Sequence, residues 1–173
     1  NERYRFDCSK LAQWEMVFRH MDSLGRMMHF VLQETENECV LDAGYLDVQR
    51  KLYLRELTAR FSHHLAITWN LGEEHHATDW APYGQTIPDT KKMAEYLREV
   101  DPYDHFIVVH THSYDSQRYE DMVPYLGFPV LDGPSIQVAD PMDSYEQTLL
   151  WRGLSADSLH RWVVCLDEIG PAW

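Results

Sequence analysis

The 173-residue chain is 45% hydrophobic and 25% charged, with 15 Lys and Arg against 28 Asp and Glu for a formal net charge of -13. Such a length suits one globular domain with a real core, and so acidic a surface repels phosphate backbones and argues against a nucleic-acid partner. Three scattered cysteines, Cys8, Cys39 and Cys165, give neither a disulfide framework nor a zinc-type pair, and no apolar run approaches the roughly 20 residues that span a bilayer.

From Ser9, apolar residues recur as Leu11, Trp14, Val17, Phe18, Met21 and Leu24, a helical stripe capped by Asp7 or Ser9 and stopped at Gly25. "MMHFVL", Met27 to Leu32, reads as a buried strand ending in the polar burst "QETENE". A helix from about Leu46 to His64 leads to the strand "LAITWN", Leu65 to Asn70. Pro88 opens a third helix carrying Met93, Tyr96, Leu97 and Val100. "HFIVVH", His105 to His110, is the clearest strand. A turn-rich connection from Ser113 to Pro134 encloses a short helix near Tyr119 to Leu126. "SIQVA" reads as a strand, Asp143 or Ser144 caps a helix through about Trp151, and "RWVVCLDE" closes the chain as a strand. Alternating helices and uninterrupted apolar strands predict a single α/β domain with a parallel sheet covered by helices. No signal peptide is visible. The chain begins at Asn1 rather than Met, so localisation stays open, with secretion or the periplasm the expectation for a longer parent protein.

Each predicted strand ends in hydrogen-bonding or ionisable residues: the Glu34 to Asn37 segment, Asn70 with Glu73 and Glu74, His110 with His112, Gln137, and Asp167 with Glu168. In a parallel sheet all those ends share one edge, where sites form in barrels and in doubly wound sheets alike. Two carboxylates brought together there could cleave a glycosidic bond, one as protonated acid, the other as nucleophile or as base for water. Their repulsion and burial would push their pKa values apart. Asp167 should point away from Glu168 along a regular strand, which suits a structural role.

The spacing His110-x-His112 could instead hold a metal, with His75 or His76 and nearby carboxylates, as in metal-dependent hydrolases. A third possibility is a carbohydrate- or matrix-binding barrel without turnover. Trp69, Trp80, Tyr83, Tyr114 and Trp151 are candidate sugar platforms, with Trp80 and Tyr83 best placed after Glu74. No glycine-rich phosphate loop and no Gly-x-Ser-x-Gly elbow occurs.

"WNLGEE", "VVHTH" and "WVVCLDEIGPA", with "HFVLQETENE" and "QRKLYLREL", resemble bacterial glycoside-hydrolase-like proteins related to the apiosidase type, often described as collagenase-like and distantly related to the clan of retaining (β/α)8 glycosidases. The resemblance implies that "HFVLQE", "LAITWN", "HFIVVH", "SIQ" and "WVVCLDE" are barrel strands three to seven, a partial TIM-type (β/α)8 barrel lacking strands one, two and eight. It puts the acid/base just after strand four and the nucleophile at the end of strand seven. A Trp-x-x-Gly-x-acid pattern laid on Trp69 and Gly72 selects Glu74 over Glu73, and Glu168 becomes the nucleophile. Asn70, Glu73, His110, His112, Gln137 and Glu34 would then hydrogen-bond a sugar, with Trp80 or Tyr83 stacking on it and no cofactor required. Exposed strand edges of a partial barrel would take up missing strands or self-associate.

Overall fold

The computed structural model describes residues 2–79 and 82–170. Among them the chain runs α1 (Cys8–Ser23), β1 (Met28–Val31), α2 (Val48–Phe61), β2 (Ile67–Asn70), α3 (Ile87–Val100), β3 (Phe106–His110), α4 (Asp115–Met122), β4 (Gly133–Val138), α5 (Ser144–Asp157) and β5 (Cys165–Ile169). No helix among the described residues is long and apolar enough to cross a membrane. Local chemistry fixes several boundaries. Asp7 caps α1 by accepting from the N–H groups of Ser9 and Lys10, and Thr86 caps α3 by accepting from Asp89 N–H just before a proline in the first turn.

The strands pair in chain order, β1-β2-β3-β4-β5, and every pair is parallel. Consecutive right-handed crossovers between neighbouring parallel strands stack their helices on one face, so the sheet winds in a single direction. The alternation of each strand then separates two faces. Phe30, Trp69, Ile107 and Ile136 pack outward into one apolar core with Phe18, Phe61, Leu97 and Trp151 of the helices. Asn70, Val108, His110, Ser135 and Gln137 take the other, concave face. His29 on β1 reaches Asp167 on β5 at 3.8 Å, although these are the two outer strands. The five strands are thus curled into a half-barrel.

Three departures from the sequence reading have physical causes. The last strand begins only at Cys165, because Trp162 turns its ring into the core against Trp151 and Val163 N–H donates to Asp132 rather than to a neighbouring strand. The short helix starts at Asp115, before its predicted bounds, around the buried Arg118. That guanidinium joins Asp115, Gln147 and the carbonyls of Ser113 and Gln137, a polar organisation without apolar period. Finally, β5 carries a bulge: Leu166 pairs with Ile136 and Glu168 with Gln137, leaving Asp167 as the extra residue. Asp167 therefore does not point away from the concave face as strand alternation predicted. The bulge turns both acids inward.

Gly133 begins β4 where the chain passes under Val163: a Cβ there would lie 1.9 Å from the Val163 carbonyl oxygen. Gly153, in α5, has nothing within 4 Å of the same position. Gly133→Ala should therefore destabilise the fold by about 3 kcal/mol, whereas Gly153→Ala should stabilise it by about 0.5–1 kcal/mol through helix propensity. Denaturant midpoints of the two variants should move in opposite directions.

Candidate active site

The segment after β2 is built from the sheet outward. Glu73 N–H donates to the Gln33 carbonyl at 3.0 Å, and Glu73 pairs in parallel with Glu34 beyond β1. On the other side His110 N–H donates to the Gly72 carbonyl at 3.1 Å and His75 N–H to the His110 carbonyl at 3.2 Å. Below this segment lies the fully buried Glu38. Its carboxylate accepts from the His75 ring and from the Gln85 and His76 N–H groups, while the other nitrogen of His75 meets Thr90. Gly72 leaves room for this contact, since a Cβ would sit 2.7 Å from His75 Nδ1. Held from both sides and below, the chain adopts left-handed conformations at Glu74 (φ 43°) and His76 (φ 104°). Strain of this kind at non-glycine residues persists only where the surroundings over-determine the backbone.

Three of the strand ends then meet. One ligand-type atom each from Glu73, His110 and Glu168 lies within 4.8 Å of the other two. The β5 bulge sets Glu168 opposite Gln137, whose Nε2 donates to Glu168 Oε1 at 2.9 Å. Burial raises the pKa of Glu73, reinforced by the negative charges of Glu34, Glu168, Glu74 and Glu36. Burial also pushes the His110 imidazole down to about 4, with His29, His112 and His75 adding to the effect. The site thus combines a carboxyl that resists ionisation, a second carboxylate fixed by an amide, and a neutral imidazole. Beside it, a recess of 220 Å³ is lined by Glu34, Thr35, Glu36, Glu73 and Glu74.

The remaining expected residues fall into distinct places. Glu74 shares the recess with Glu73, but it is Glu73 that groups with Glu168 and His110. Asn70 is 1% exposed and its Oδ1 accepts from Gly72 N–H, so it shapes the turn. Asn37 is likewise used locally, accepting from Glu34 N–H at 3.1 Å. His112 lies past the end of β3 and pairs with Asp121 at 2.9 Å. Burial opposes its protonation, but the hydrogen bond and charge of Asp121 outweigh it and raise its pKa. Trp69 and Trp151 are core residues, while Tyr83 is 82% exposed. Trp80 lies outside the described residues. Sequence reasoning missed Glu38, His75 and Gln85 as the support beneath the loop. Glu38 ends the polar burst "QETENE", Gln33 to Glu38, and nothing in that burst marks which acid turns inward.

No family model and no curated protein matches the chain. Among solved structures it is similar to a "putative glycoside hydrolase" from Bacteroides vulgatus ATCC 8482, with 22% identity, a TM-score of 0.64 and coverage of 94% of this chain. The chain spans 29% of the length of that protein. At this identity the likeness is one of fold.

The electrostatics make a direct prediction. Glu168→Gln removes one like charge and should lower the Glu73 pKa, which stays above the ordinary carboxylate range because burial is its leading cause. Carboxyl carbon NMR titration would read the shift; an unchanged Glu73 would mean that the two carboxylates do not interact.

Proposed function

We propose that this half-barrel carries the catalytic face of a glycoside hydrolase, with Glu73 as acid/base and Glu168 as nucleophile. The observation that carries the reading is the approach of these two carboxylates within 4.8 Å, next to His110. With one oxygen of each this close, we assign double displacement, for which carboxyl groups stand roughly 5–5.5 Å apart, over inversion, which needs roughly 6.5–9.5 Å. Glu73, whose pKa burial and its acidic neighbours raise, would in its protonated form give its proton to the leaving glycosidic oxygen. Glu168 would attack the anomeric carbon and form the glycosyl-enzyme. Glu73, now ionised, would then take a proton from the water that releases the sugar. Gln137 would keep the Glu168 carboxylate aimed through its hydrogen bond of 2.9 Å. The neutral imidazole of His110 and the carboxylate of Glu34 would meet sugar hydroxyls.

The fold likeness to the Bacteroides vulgatus protein agrees with this reading. So does the motif resemblance to apiosidase-related proteins, in which β1 to β5 correspond to strands three to seven of an eight-stranded barrel with a carbohydrate substrate. That resemblance selects Glu74 as the acid/base. The site geometry favours its neighbour, because Glu73 is the one grouped with Glu168.

A panel of aryl glycosides tests the assignment. Glu73→Gln and Glu168→Gln should each cost roughly 10²–10⁴-fold in turnover, and Glu74→Gln much less; the reverse order would return the acid/base role to Glu74. Because Glu73 must be protonated to act, kcat/KM should fall as pH rises through its elevated pKa. That alkaline limb should move to lower pH when Glu34→Gln removes a neighbouring charge.

A further inference from the structure

Two groups of side chains among the described residues each bring three potential metal-ligand atoms together: Glu15 of α1 with His63 and His64 just past α2, and Glu73, His110 and Glu168 on the concave face. They differ in what their histidines have left to offer. Both ring nitrogens of His64 are engaged, by Asp22 at 2.6 Å and Glu15 at 3.1 Å, and that group is an ionic tie between helices. His110 is 5% exposed, and its Nε2 is buried with no hydrogen-bond partner. Gln137, 9% exposed, likewise has its Oε1 without a partner while its Nε2 is bound to Glu168. Buried polar atoms are normally satisfied, so orphans beside two carboxylates mark a place built for a ligand. None of the Lys or Arg ion pairs among the described residues reaches Glu73 or Glu168.

We propose that Glu73, His110 and Glu168 also form a binding site for a borderline-soft divalent cation of the zinc class. One imidazole and two carboxylates match the nitrogen and oxygen donors that such ions take, whereas magnesium and calcium prefer oxygen alone. Ligand atoms in a tetrahedral zinc site lie roughly 3.4 Å apart. Atoms already within 4.8 Å of one another would need to close by at most about 1.4 Å to reach that spacing. Three protein ligands leave the fourth position open, and the Gln137 amide holds Glu168 through its hydrogen bond of 2.9 Å. Binding does not require turnover, so the site goes beyond the glycosidase reading. If both hold, the cation occupies the carboxylates that the reaction needs and inhibits it reversibly.

The test is calorimetric titration of zinc into chelator-treated protein. One zinc per chain is expected, with His110→Asn weakening it by more than roughly tenfold and Gln137→Ala by about tenfold. His63→Ala should leave it unchanged, and magnesium should give no saturable heat. Cobalt(II) added to the unsubstituted protein should develop visible absorption that zinc displaces, a readout independent of any variant's folding. Absence of saturable zinc binding, or binding that His63→Ala removes and His110→Asn spares, overturns the proposal. Stoichiometric zinc binding in a protein that hydrolyses no glycoside would refute the enzymatic reading alone.

Discussion

Strands that run parallel in chain order must end on one edge, and this constraint generates everything at the concave mouth of the half-barrel. Glu73, His110, Gln137 and Glu168 come from three strands and a loop spread over nearly 100 residues. They meet because each crossover returns the chain to the same side of the sheet before the next strand begins. The curl that carries His29 to within 3.8 Å of Asp167 brings the outer strands face to face. A flat sheet of the same order would hold β1 and β5 apart.

Convergence of acidic groups has a cost, since like charges in a half-buried site oppose one another. The chain answers with fixed scaffolding rather than with counter-charges. Glu38, His75, Gln85 and Thr90 form a buried network beneath the Gly72 to His76 segment. Sheet hydrogen bonds hold that segment from both sides, and the backbone at Glu74 and His76 absorbs the remaining misfit. Burial, reinforced by this repulsion, then raises the pKa of Glu73. A buried Arg plays a similar supporting part on each flank: Arg50 binds Gln33 and the Glu38 carbonyl, and Arg118 binds the Gln137 carbonyl.

Much of this was legible in the residues. Apolar runs without alternation announced strands buried on both faces, and "HFIVVH" and "LAITWN" became β3 and β2 with little change at their C-terminal ends. Helical stripes gave α1 with its cap and α3 with its opening proline, though not the Thr86 cap. The polar residues at the strand ends pointed to the edge where Glu73, His110 and Glu168 come together. Less legible were elements organised by polar contacts. The α4 region has no apolar period because the buried Arg118 holds it, and the approach to β5 has the composition of a strand although Trp162 turns into the core.

The sequence by itself determined the order of elements, the parallel class of the sheet and the set of ionisable groups available at one edge. All of these follow from period, composition and chain connectivity. Only the tertiary structure decided which carboxylates meet. A single extra residue at Asp167 shifts the register of β5 and sets Glu168 opposite Gln137 on the concave face, and strand periodicity cannot show such a bulge. The left-handed turn at Glu74, imposed by Glu38 and His75 from beneath, leaves Glu73 as the acid that faces Glu168 and His110. Adjacent glutamates are chemically identical in the sequence, and only long-range packing distinguishes them.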